Sequence, residues 1–219
     1  MNIASHGWHG SAWEMLVRLS DADGSATHPH VLRLADPRSS HRDLADAVHA
    51  LCAVHGRHPG LIDAALFHGA QPDAYAWLDG VAAGFAEERA LLAQIAAAAG
   101  PLPSTPGQAE TEAALVGVRH AIEMLAGSDR TGCATGAAAM LAIDWLTIRS
   151  VLARAADRFG VALPVTALPS QAETATAIVD LGASAAIERA MNFGGRQLLA
   201  QHRGLWCLLE ARASARDQL

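Results

Sequence analysis

The sequence contains no lysine: all 16 basic side chains are arginine, and they are scattered without a run. With a net charge of -6 and a pI near 6.0, that pattern excludes nucleic acid as a main partner, because phosphate binding needs a basic surface. Aromatic residues make up only 5% of the chain, and Val, Ile and Thr are sparse, so β-structure lacks its usual material. Three cysteines, Cys52, Cys133 and Cys207, lie far apart and form no CxxC, which fits free thiols in a reducing compartment. Phosphate-binding GxGxxG and P-loop phrases are missing, as are GxSxG and HExxH. The first residues, MNIASHGWHGSAWEM, show no basic stretch ahead of an apolar run. The longest near-apolar stretch, 132–146, falls short of a bilayer span and contains Asp144. These features lead us to expect a cytoplasmic protein with no membrane segment.

Alanine is what the chain has in excess, at 49 of 219 residues. Alanine is the best helix former and lets helices approach closely. The expected fold is therefore all-α: a compact bundle of six to eight helices over residues 40–219, preceded by an irregular segment, 1–39. Within that segment a short helix is expected near 11–19, a turn at Asp21–Gly24 and an extended His28-Pro29-His30. Its histidines, including His6 and His9, could bind metal adventitiously.

Start and stop signals place the helices. Ser40, with Asp43 three residues on, caps a helix that stops at Gly56. Further helices are expected over 59–67, 73–99, 105–126 (Thr105 as cap, Pro106 first), 132–159 and 171–191 (boxed by Ser170 and Glu173). Gly194-Gly195 is expected to break the chain before a last helix over 196–213.

Helical period places residues three, four and seven apart on one face. By that measure four ionisable residues fall in the middle of apolar faces, each on a different helix. His55 continues the face of Leu44, Val48 and Leu51. Glu88 lies between Phe85 and Leu92, while its neighbour Glu87 points away. Asp144 is surrounded by Met140, Leu141, Ile148 and Val151, with Arg149 expected on the opposite, solvated arc. His202 centres the face of Leu198, Leu205 and Leu209. On the 105–126 helix, His120 and Glu123 could also reach the interior if that helix is covered on all sides.

An unpaired buried carboxylate costs several kcal/mol, so these groups demand partners. Carboxylates and imidazoles converging from several helices are the ligands of a carboxylate-bridged di-iron or di-manganese bundle. One expectation is thus a metal-dependent oxidoreductase holding Fe or Mn on His55, Glu88, His120, Glu123, Asp144 and His202. The usual Glu-x-x-His phrase is absent, and the nearest, His120-Ala-Ile-Glu123, runs in reverse. The alternative is a non-catalytic helical protein that binds a partner or a small ligand, its buried polar residues forming a structural network. A homodimer is also expected, because five tryptophans are many for so few aromatics.

The phrases HGRHPG (55–60), PLPSTPGQAE (101–110) and RHAIEMLAGSDRTGCATGAA (119–138) resemble those of an uncharacterised all-helical alphaproteobacterial family. The resemblance spans about residues 41–160. It implies a helical fold and supplies no catalytic residues. Likeness to ferritin-like bundles is one of architecture alone.

Overall fold

The computed structural model describes residues 11–102 and 107–217. Among them lie nine α-helices, two short 3₁₀ turns and no strand. The helices are α1 (Ala12–Asp23), α2 (Pro29–Ala35), α3 (His41–His55), α4 (Leu61–His68), α5 (Tyr75–Ala99), α6 (Gln108–Ala126), α7 (Cys133–Phe159), α8 (Gln171–Leu181) and α9 (Ala185–Asp217). A compact all-α fold is what the alanine content dictates. The expected caps Ser40 and Ser170 accept hydrogen bonds from the backbone N–H groups of Asp43 and Glu173. Thr105 and Pro106 lie outside the described residues, as do His6 and His9; α6 starts at Gln108 behind Gly107.

α7 is the axis of the bundle. It is long and apolar enough to cross a membrane by length and composition, yet 67% of its most apolar stretch is buried inside the protein. Its small first turns, Cys133 to Ala139, are buried against α9, and α3, α5 and α2 cover its other sides.

Two features at the N- and C-terminal ends depart from the sequence reading. The helix expected near 11–19 is present as α1 but runs on through the expected turn to Asp23, and 29–35 is helical where the sequence reads as irregular. Both pack on α7 and α9, so most of the described part of 1–39 is regular. His28 caps α2 through its Nδ1, and Pro29 takes the first helical position, where its missing N–H costs nothing. The second departure is the glycine pair. Gly194-Gly195 does not break the chain, since α9 runs unbroken from Ala185 to Asp217. A Cβ on Gly194 would lie 2.0 Å from the Cys133 carbonyl oxygen, and one on Gly136 would lie 2.1 Å from that of Met191. Glycine is required there by the close crossing of α7 and α9, not by a turn. The real break falls earlier, at 182–184, between α8 and α9.

Candidate functional site

Four of the six candidate residues are buried: His55 on α3, Glu88 on α5, Asp144 on α7 and His202 on α9. Three of them form one hydrogen-bonded line. Asp144 Oδ2 lies 2.6 Å from His202 Nδ1, and His202 Nε2 lies 3.1 Å from His55 Nε2. The two imidazole planes are perpendicular, and His55 also meets the ring of Trp145 edge to face.

Asp144 is 1% exposed, and its carboxylate is saturated by protein donors. Beyond His202, it accepts from the Ser25 backbone N–H at 2.7 Å and the Ser25 hydroxyl at 2.5 Å. Trp206 Nε1 donates in turn to the Ser25 oxygen at 2.8 Å. Burial pushes the Asp144 carboxyl up. The hydrogen bond and charge of His202 and the two hydrogen bonds from Ser25 outweigh it and hold the group below its ordinary value. His55 is held well below the usual imidazole range, first by burial and then by the neighbouring His202, so it is neutral at pH 7.

Ionised Asp144 accepts Nδ1–H of His202. In the arrangement in which His202 carries no second hydrogen, its Nε2 accepts from His55 Nε2–H. That leaves His55 Nδ1 as a bare acceptor, with no hydrogen-bond partner among the described residues. His55 lines a narrow crevice with Arg57, Phe85, Arg119, Ile122 and Glu123, whose free space is about 20 Å³, room for a water-sized group.

Glu88 belongs to a second network. Its carboxylate accepts from Arg149, from Trp145 Nε1 at 3.0 Å and from the Thr166 hydroxyl at 2.8 Å. Arg149 is thus not on a solvated arc; it turns inward and also holds the Pro164 carbonyl. Thr166 comes from the 161–169 linker, which can lie against α5 because Gly84 has no Cβ: one there would sit 2.6 Å from the Ala167 carbonyl. Trp145 joins the networks, bonding Glu88 through its nitrogen and packing its ring on His55.

His120 and Glu123 do not join either network. Their side chains are 72% and 54% exposed, because α6 is an outer helix with one buried stripe, Leu115, Ile122, Leu125 and Ala126. Among the described residues, no three His, Cys, Asp or Glu side chains converge as ligands of one ion. Sequence reasoning missed Ser25, Arg149, Thr166 and both tryptophan donors. Ser25 sits in a 3₁₀ turn with no periodic face, and Thr166 in a linker, so register carried no signal for them.

The model of a family of unknown function, DUF6975, matches residues 20–217 of this chain. No curated protein and no solved structure matches it.

Proposed function

We propose that this chain, which belongs to the DUF6975 family of unknown function, carries an acid–base centre in which His55 takes up a proton from a small polar group, water included, in the crevice beside it. The observation that carries this reading is the line Asp144–His202–His55 ending at an unpartnered nitrogen. A proton arriving at His55 Nδ1 lets the Nε2 proton pass to His202 Nε2. The positive charge then rests on the imidazole that touches the Asp144 carboxylate, a placement far cheaper in a buried site than on His55 alone. Asp144 also fixes the tautomer and orientation of His202, as a carboxylate does behind any working imidazole. Arg57 and Arg119 at the crevice favour a group that develops negative charge as it loses its proton.

The test is nuclear magnetic resonance of the histidine ring nitrogens at pH 7. The expected result is His55 protonated on Nε2 and bare on Nδ1, with the pattern lost in Asp144→Asn. A His55 that carries its hydrogen on Nδ1 in the wild-type protein would sink the reading. Iron or manganese held by the inward carboxylates and imidazoles remains the competing proposal. Stoichiometric metal in protein purified without an affinity tag would favour it over the proton relay.

A further inference from the structure

A groove lined by buried polar groups lies away from His55, between α2, the 36–40 loop, the start of α3 and the last turns of α9. It encloses about 560 Å³, within the range of small-molecule sites. Two of its polar lining groups are buried and incompletely satisfied. His30 is 2% exposed; its Nδ1 lies 3.1 Å from the Arg33 guanidinium, which can only donate. The hydrogen of the neutral ring therefore sits on Nε2, and no group among the described residues accepts it. Ser39 is 9% exposed, and its hydroxyl has no hydrogen-bond partner among the described residues. Buried polar groups are rarely left unpaired without a reason.

The same groove is closed on one side by the N-terminus of α3, a 15-residue helix. Ser40 Oγ satisfies the Asp43 N–H, and the Ser40 carbonyl takes that of Leu44. The N–H groups of His41 and Arg42, at the first two helical positions, have no intrahelical acceptor, and the helix dipole is positive there. The charged side chains on the wall balance: Arg33 and Arg38 against Asp36 and Asp43. Asp43 is tied to Arg216, and Arg33 to Glu210. What remains unsatisfied on the wall can donate: His30 Nε2–H and the Ser39 hydroxyl, which can also accept, with the first turn of α3 represented there by Ser40 and Asp43. Leu32, Leu34 and Ala213 supply an apolar wall beside them.

We propose that this groove binds a small organic molecule through an oxyanion, a carboxylate or a phosphate ester. The oxyanion accepts from His30, Ser39 and the α3 N-terminus, and the organic body lies along Leu32 and Leu34. The site is independent of the His55 centre. It selects by directed donors and not by net charge, so moderate salt does not abolish binding.

Calorimetric titration with succinate, glycerol 3-phosphate and inorganic phosphate tests the proposal and separates its two oxyanion classes. Saturable 1:1 binding of at least one organic probe, tighter than that of inorganic phosphate, is expected. Ser39→Ala should weaken it about tenfold, as loss of a hydrogen bond to a charged group does, while leaving the unfolding midpoint unchanged or higher. Arg38→Gln, at a fully exposed side chain, serves as the second variant and should weaken binding less than Ser39→Ala. A His30 ring-nitrogen resonance that moves on addition of the probe reports the contact directly. The proposal is overturned if no probe binds tighter than about 10 mM, an affinity weaker than any specific contact set would give. It is equally overturned if Ser39→Ala binds as the wild type does and the His30 resonance stays fixed.

Discussion

Two carboxylates lie at the heart of this bundle, and the protein deals with them differently. Glu88 faces Arg149, whose guanidinium is a fixed cation by its chemistry as an arginine, with Trp145 and Thr166 completing its shell. Asp144 faces His202, whose partner His55 is itself titratable, with Ser25 completing the shell. Both groups are equally buried, so burial does not separate them. The counter-charge does. An arginine pair is a fixed fastening, here between α5, α7 and the 161–169 linker. An imidazole pair can gain or lose a proton while its carboxylate stays in place, and it therefore has chemistry that the arginine pair lacks.

The largest effect separating the two comes from removing each cationic partner. Arg149→Met strands Glu88 in an apolar interior and should lower the free energy of unfolding by about 3–5 kcal/mol. His202→Gln should cost less, about 1–3 kcal/mol, because the amide can still donate to Asp144 and Ser25 still gives two hydrogen bonds. Urea unfolding followed by circular dichroism measures both. Equal losses would mean that the two networks are fastenings of the same kind.

A smaller effect appears with pH. The His55 folded-state value lies well below the unfolded value of 6.5. Its contribution to stability is therefore fully present above pH 6.5 and is lost as pH falls toward the folded value, where the unfolded chain binds a proton that the folded one refuses. His28 and His30, also lowered by burial, act in the same direction. Asp144, lowered from 3.8, adds its own loss only below that value. The urea midpoint should fall between pH 7 and pH 5, ahead of carboxylate protonation. His55→Asn should flatten that slope; Arg149→Met, on the other network, should leave it intact. A midpoint indifferent to pH above 5 in the wild-type protein would contradict the burial of neutral His55.

How far the sequence could foresee this contrast follows from what register can encode. Helical period located Glu88, Asp144, His55 and His202, because each interrupts an apolar face that Leu, Val and Ile otherwise define. It could not tell that His55 would meet His202 while Glu88 turned to Arg149: pairing depends on how helices cross, and the crossing of α7 and α9 is set by Gly136 and Gly194. The same glycines, seen as letters, look like a break. Arg149 misled for a related reason. Beside Asp157 and Arg154 it belongs to the polar arc of α7, and the linker that covers Arg149 carries no periodic signal. For His120 and Glu123 the error lay in the number of covered sides: α6 is alanine-rich like the central helices, yet only one of its faces meets the bundle.

The smallest expected effect discriminates the networks most cleanly. Trp145 and Trp206 are both fully buried, and each gives its single indole N–H to one network. Trp145 bonds the Glu88 carboxylate directly, whereas Trp206 bonds the Ser25 hydroxyl, one step removed from Asp144. Replacing either by Phe removes similar volume, so the cavity cost is similar in the two variants. What differs is the lost hydrogen bond. A bond to a charged acceptor contributes about 1.5–3 kcal/mol and one to a neutral hydroxyl about 1 kcal/mol. Trp145→Phe should therefore unfold at lower urea than Trp206→Phe, by about 1 kcal/mol after the common cavity term cancels. The double variants sharpen the inference. Combined with Glu88→Gln, Trp145→Phe should lose part of its penalty, since the acceptor is no longer charged. Combined with the same Glu88→Gln, Trp206→Phe should be additive, because its bond lies in the other network. Additivity in both pairs would show that Trp145 acts through its ring against His55 and Phe85, and not through the hydrogen bond to Glu88.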